Sequence, residues 1–482
     1  MKSLSGLEPK KVFEYFERLS SVPHGSGNTD AISELCVEMA KELGLYCRRE
    51  PCNNVIIRKG GSAGYESSEP IILQGHMDMV CVKTDDCEKD LTREGPDLMT
   101  DGEWVWADRT SLGGDDCIAL AVIFAILADD SLPHPPIEAL FTVDEETGMD
   151  GAFNADLSDF KGRRLLNLDS EEEGVFTVSC AGGINADCYL PCSLTALTDE
   201  KPYRIRLGGL IGGHSGTEID KGRANANNLM ARVLYTAAEQ FPGLRIADIR
   251  GGRFHNVICP LNEALVAVSA EKAEAFKMFI RGFGAVLGNE YAGCDDGLML
   301  SCEPARFDRA ADVAATSRML HALLVLPQGV LAMSADIPGL VQTSANLGLI
   351  GMEDDGLHFS VSVRSGLASQ KQMTAQRIRA ITELTGGVCE LRGAYPGWQY
   401  KRDSVLRDTV TEVCRRLTGK EGRVAAVHAG LECGILAEKL PGLDAVSIGP
   451  DILDIHSVNE RLNVASVQRL YALVCETLRM CK

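Results

Sequence analysis

The chain has 482 residues, 45% of them apolar and 24% charged, and its 48 basic and 68 acidic side chains leave a formal net charge of −20. That balance argues against nucleic acid and anionic membranes as partners, and it suits a site that holds cations. The 17 cysteines are scattered without a CxxC pair, so neither a disulfide framework nor a cysteine zinc finger is expected.

The length suggests about two to three domains. The opening segment "MKSLSGLEPKKVFEYFERL" has no signal-type apolar core and reads as an amphipathic helix. No stretch reaches the roughly 18 apolar residues of a membrane helix. A soluble, cytoplasmic protein is expected. "PIILQGHMDMV", "PIEALFTVDEETG" and "RRLLNLDSEEEG" each read as an apolar strand with a polar exit, and "DCIALAVIFAILADD" between the first two reads as a buried helix. Strand, helix, strand with histidines and carboxylates at the strand ends is an α/β signature. Sites in open α/β sheets lie outside the carboxyl ends of the strands, so chemistry is expected at His76, Asp78, Asp144 to Glu146, and Asp169.

After "CAGG" (180–183) the character changes. "YRIRLGGLIGGHSG", "NEALVAVSA" and "GLMLSCEP" read as strands. "LVQTSANLGLIG" and "LHFSVSVRSG" read as a pair across "MEDDG". Helices are predicted in "ANNLMARVLYTAAEQF", "EKAEAFKMFIRGFGAVL", "ADVAATSRMLHALLVL" and "QKQMTAQRIRAITELTGG". From "YPGWQ" onward α/β character returns. The organisation expected is a catalytic domain of 1–183 and 395–482, with 184–394 inserted as an α+β domain.

Each candidate also has a bland reading. His76 and Asp78 could form a surface ion pair, or a metal ligand with the carboxylate that orients it. Asp115 or Asp116 could cap the apolar helix, yet capping accounts for only one of them, and a carboxylate can also bridge two cations. Glu171 to Glu173 read as a solvated acidic loop. His456, in "DIHSVNE", would alone pass for an ordinary hydrogen-bonded histidine. His214, between glycines in "GGHSG", reads as exposed or mobile. Taken together, two histidines and three or more carboxylates at strand ends suit Zn²⁺, with Mn²⁺ or Co²⁺ as alternatives, in a hydrolytic site.

In order, "GHMDMV", "SLGGDD", "TVDEETG", "NLDSEE", "GGHSG" and "IHSVNE" resemble the aminoacylase/dipeptidase/carboxypeptidase superfamily of co-catalytic metallopeptidases. "HAGLECG" (428–434) and "YPGW" (395–398) resemble its aminoacyl-histidine dipeptidase branch, and the likeness spans nearly the whole chain. The resemblance implies a mixed-sheet, three-layer α/β domain with the inserted α+β domain as a lid, and two divalent metal ions, Zn²⁺ first. His76 and Asp169 would hold one ion and Glu146 and His456 the other, with Asp115 bridging both. Asp78 would orient His76, Glu145 would be the general base and His214 would stabilise the oxyanion. Asn256, Arg364, His428 and Glu432 would contact substrate. The implied reaction is hydrolysis of short peptides, Xaa-His or broad-specificity dipeptides. An N-acyl-amino-acid amidohydrolase and a non-catalytic metal-dependent peptide-binding protein are the alternatives. A homodimer is compatible, since many relatives dimerise. Asp116 stands where relatives commonly have asparagine, Cys117 where they have glycine, and His255 also departs from the pattern.

Overall fold

The strand Ile71–His76 is buried at every position. That pattern belongs to a central parallel strand covered on both faces. In the computed structural model, which describes residues 4–482, this strand runs parallel to Ile137–Thr142 on one side and Arg164–Asn167 on the other. Asp444–Ser447 lies parallel to Arg164–Asn167. Around these four the eight-stranded sheet runs Tyr46–Arg49, Val55–Lys59, Ile137–Thr142, Ile71–His76, Arg164–Asn167, Asp444–Ser447, Val175–Cys180, Arg423–Val427. All four parallel strands point their carboxyl ends the same way, so His76, Asp144, Asp169 and the loop to His456 leave one edge of the sheet.

The helix Gly114–Leu127 is buried along its whole length. It is apolar all round, as a helix enclosed in a core must be. Its Phe124 meets Phe141 of the sheet with ring centroids 5.3 Å apart. Part of the expected amphipathic N-terminal helix forms over Lys10–Leu19; residues 1–3 of that segment lie outside the described residues. Among the described residues no helix is long and apolar enough to cross a membrane.

Two compact units result. One comprises the chain to Ser179 with Tyr400–Ala426 and Leu431–Lys482; the other is Cys180–Gln399 with Val427–Gly430. His428 therefore packs with the second unit, although the sequence reading groups everything after 395 with the first. The second unit is built on an antiparallel sheet in the order Met299–Pro304, Glu200–Gly208, Asn262–Ser269, Arg245–Gly251, Val341–Glu353, Gly356–Ser365, Gly182–Pro191, Val388–Tyr395, with Gly329–Met333 beside Val341–Glu353. Helices Ala226–Gln240, Ala273–Glu290, Val313–Val325 and Ala368–Leu384 contribute to its apolar core, where Leu229, Val233, Leu234 and Ala237 share the buried face of the first.

Candidate metal centre

The site in the first unit is assembled from five segments of the chain. His76 ends its strand. Its Nδ1 lies 2.9 Å from the backbone oxygen of Asp78 and 3.5 Å from the Asp78 carboxylate. A carbonyl only accepts, so Nδ1 carries a proton, and the ring when neutral presents its lone pair at Nε2. The expected carboxylate–histidine bond is thus replaced by a backbone one. The Asp78 carboxylate instead accepts from Ser26 Oγ (2.8 Å) and from the backbone N–H groups of Glu145 (3.1 Å) and Glu146 (3.4 Å). It ties the His76 loop to the paired glutamates.

His76 Nε2 faces Asp115 Oδ1 at 3.0 Å and Asp169 Oδ1 at 3.4 Å. His456 Nε2 faces Asp115 Oδ2 at 3.2 Å and Glu146 Oε1 at 2.8 Å. Asp115 therefore gives one oxygen to each histidine. Glu146 Oε1 is buried without a hydrogen-bond partner despite that close nitrogen. Two imidazole nitrogens packed against buried carboxylate oxygens call for positive charge at this spot, which either a bound cation or protons on the rings supply. The donor set, imidazole and carboxylate without sulfur, fits a divalent cation of the zinc class. Three ligand groupings converge closely enough to hold an ion: Asp115, Glu146 and His456; His76, Glu145 and Glu146; and His76, Asp116 and Asp169.

The proton affinities carry the same signature. Burial would lower the His76 pKa, but Asp169 and Asp115 outweigh it and hold the value well above normal. The Asp115 and Glu146 carboxylates beside its Nε2 push His456 up to about 10. Burial pushes Asp169 up to about 6. Glu145 is raised well above the usual carboxylate range by burial, with Asp169, Glu432 and Glu146 adding to the rise. A crowded, buried set of acids and imidazoles that traps protons is one that a cation would discharge.

Local structure explains how these groups are presented. The strand ends at Thr142, Asp144 adopts a left-handed conformation (φ 56°), and Glu145–Gly148 form a helical turn rather than extended chain. The two glutamates diverge because successive helical positions are rotated by about 100°. Asp144 accepts from the Gly27 N–H at 2.6 Å, which pins the turn. Neither Asp115 nor Asp116 caps the buried helix. The helix follows Gly113 (φ 69°) with no side-chain cap from that residue. Glu460 supplies the acceptors: its Oε2 takes the N–H of Leu112 and Gly113, and its Oε1 those of Gly114 and Asp115, at 2.8–3.4 Å. Asp115 is thereby released from capping. Asp116 accepts from the His76 backbone N–H at 3.1 Å. Cys117 is fully buried, and burial raises its thiol pKa, so it packs as a small apolar group.

One layer below the candidate ligands, Asn167 donates to Gln74 Oε1 (2.6 Å), while Gln74 (2.6 Å) and Thr142 (2.7 Å) donate to Glu432 Oε2. Gln74, Thr142 and Asn167 each lie two residues before His76, Asp144 and Asp169 on their own strands. Glu432, expected among the substrate contacts, is 1% exposed and instead braces three strand ends.

The remaining expected residues belong to the second unit. The Gly213–His214 and Val257–Ile258 segments pair, and Ser215 donates to the Asn256 carbonyl at 2.9 Å, so His214 and Asn256 are neighbours. His214 is half-buried rather than loose. Its Nδ1 accepts from the Thr217 N–H at 3.1 Å, leaving the ring proton on Nε2. Burial, then the Arg364 charge, lowers its pKa and keeps it neutral. Arg364 donates to the Tyr395 hydroxyl at 2.9 Å, and its Nε is buried without a partner. Ser344, opposite Arg364 in the sheet, shares a 2.7 Å hydrogen bond with His428 Nε2.

Residues 72–480 match the model of peptidase family M20/M25/M40. The chain belongs to this peptidase family. The peptidase is 37% identical over 481 residues to the cytosol non-specific dipeptidase of Escherichia coli (strain K12), covering 99% of both chains. Its structure matches the crystal structure of aminoacylhistidine dipeptidase from Vibrio alginolyticus with a TM-score of 0.94 at 34% identity, covering 99% of this chain and 98% of that one. Aminopeptidase PepT from Bacillus cereus shares the fold at 15% identity, TM-score 0.57, with 98% of this chain and 99% of that one covered. These likenesses bear out the α/β architecture with its inserted α+β unit.

Proposed function

We propose that this peptidase is a metal-dependent dipeptidase that hydrolyses Xaa-His or a broader set of dipeptides in the cytosol. The observation that carries the reading is the division of the two Asp115 oxygens between His76 and His456, with Glu145 alongside. The two dipeptidase relatives support the substrate class, and the cytosolic one supports the compartment. His76 and Asp169 would hold one divalent ion, Zn²⁺ by preference, and Glu146 and His456 a second, with Asp115 shared. When bound, such ions polarise a substrate carbonyl and acidify water.

The chain's own groups do the rest. Asp78 holds the proton-bearing face of His76 through its backbone and anchors the Glu145 turn. Glu145, a buried carboxyl with raised proton affinity, takes the proton of the attacking water and passes it to the leaving amine. His214, neutral with its proton on Nε2, donates to the carbonyl oxygen as negative charge develops there. Arg364, with an unused buried Nε–H, pairs with the substrate carboxylate, and Asn256 and His428 line the same end. The second unit acts as the lid that excludes water and limits substrate length.

A panel of Xaa-His, β-Ala-His and Gly-Gly dipeptides, run after chelation and after return of Zn²⁺, Mn²⁺ or Co²⁺, tests the proposal. Cleavage of free dipeptides that disappears on chelation and returns with metal is expected. Full activity in verified metal-free protein would refute the mechanism. A preference for N-acetylated substrates would move the assignment to an amidohydrolase.

A further inference from the structure

Two strands carry the chain into and out of the second unit. Gly182–Pro191 follows the crossing at Cys180, and Val388–Tyr395 precedes the return at Tyr400. They are antiparallel neighbours, and their register sets Cys188 directly opposite Cys389. Directly opposed residues in such a pair have Cα atoms about 4.5 or 5.5 Å apart. Either spacing falls inside the roughly 4.4–6.8 Å window of a disulfide.

The side chains also meet. Ala186, Cys188 and Leu190 are the inward positions of their strand, and Cys389 is buried beside them. The Cys188 thiol donates to the Ala186 carbonyl at 3.7 Å, and each thiol is near enough to the other to shift its proton affinity. Helix Ala368–Leu384 covers this spot, bringing Arg379 to Cys389 and Thr382 to Cys188. The neighbouring Cys188 thiol, and then the Arg379 charge, hold the Cys389 thiol below its ordinary pKa, whereas Cys188 is held above. The Arg379 charge beside Cys389 favours the thiolate there.

We propose that Cys188 and Cys389 form a reversible disulfide when the protein meets a peroxide, closing the inserted unit into a covalent loop. The Cys389 sulfur attacks one peroxide oxygen. The S–O bond forms, the O–O bond breaks, and the departing hydroxide takes the thiol proton and leaves as water. The Cys188 sulfur then attacks the oxidised sulfur. The S–S bond forms, the S–O bond breaks, and hydroxide leaves with the Cys188 proton as a second water. Two thiols have lost two electrons and two protons, and one peroxide has become two waters. A dithiol reductant reverses the bond by exchange. The bond encloses roughly 200 residues, a long loop whose closure restricts the unfolded chain strongly.

The test uses the full-length protein, fully reduced and then treated with hydrogen peroxide. The expected result is a mass loss of about 2 Da, a Cys188–Cys389 linked peptide that dithiothreitol cleaves, and two fewer alkylatable thiols than the 17 of the reduced chain. The unfolding midpoint of the oxidised protein should rise by several degrees. Cys188→Ser and Cys389→Ala should each abolish the cross-link and the rise, with Cys188→Ala used if the serine variant does not fold. Cys259→Ser, at another buried cysteine of the same unit, should leave both intact. All 17 thiols remaining after treatment, oxygen addition at Cys389 without a cross-link, or a cross-link that survives in either pair variant would each overturn the proposal.

Discussion

Glu460→Gln isolates the group that holds the Asp115 loop. In the native site each carboxylate oxygen accepts two backbone N–H groups, one close (2.9 and 2.8 Å) and one longer (3.2 and 3.4 Å). Glutamine is nearly isosteric but keeps only one accepting oxygen; its NH₂ turns toward the other pair of donors. Two buried N–H groups then lack an acceptor, at about 1–3 kcal/mol each. The longer bond of the pair weighs less, so a loss of about 2–4 kcal/mol is expected. Relaxation of the loop would move Asp115, and loss of such outer support typically weakens metal binding by about 10–100-fold. Urea unfolding of the metal-free protein and competition against a fluorescent zinc chelator measure the two effects. A variant with unfolding free energy within about 0.5 kcal/mol of wild type and unchanged zinc affinity would refute the reasoning.

Two further outcomes follow from the same geometry. Glu145→Gln should retain metal, measured by elemental analysis, while kcat falls by about 10²–10⁴-fold; near-native turnover would remove Glu145 from the role of base. His428 titrates at about 4 because burial, and then the Arg364 charge, disfavours its protonated form. Its unfolded value is about 6.5, so between these limits the unfolded chain binds more protons than the folded one. Stability from this group is complete above about pH 6.5 and declines as the pH falls toward 4, by about 3 kcal/mol at most. His428→Gln should flatten that part of the urea-midpoint profile, and an unaltered acid limb would show that other groups govern it.

Much of the candidate centre was legible because its candidate ligands sit at the ends of apolar strands, where periodicity exposes them. His76, Asp169 and the glutamate pair could be found this way. What sequence could not show was the backbone they serve. Glu460 bonds four N–H groups some 345 residues away, and no spacing rule reaches that far. It lay inside the motif that singled out His456, four residues earlier, yet carried no chemical signal of its own. Asp115 and Asp116 were ambiguous for the same reason: their capping alternative fails only because a distant carboxylate does the capping. Glu432, a substrate contact by resemblance alone, is sealed beneath the strands, a placement its own motif gave no means of reading. The cysteine scatter gave no reason to expect a disulfide framework, and it could not reveal that two of the cysteines share a register. The Arg364–Tyr395 pair likewise depends on a strand pairing formed over a long separation.

That pairing also bears on how the chain folds. Gly182–Pro191 and Val388–Tyr395 are adjacent strands, so the ends of an insertion of roughly 200 residues meet within about 5 Å. Once the insertion has formed its own sheet, the two segments that must join to complete the first unit are separated by a short effective tether rather than by a long flexible one. The entropy of closing that gap, which grows with the logarithm of tether length, is then met mainly by the insertion's own contacts. The topology favours an order of assembly in which the later segment, with its sheet strand Asp444–Ser447 and its candidate ligand His456, is delivered to a half-built sheet already close at hand.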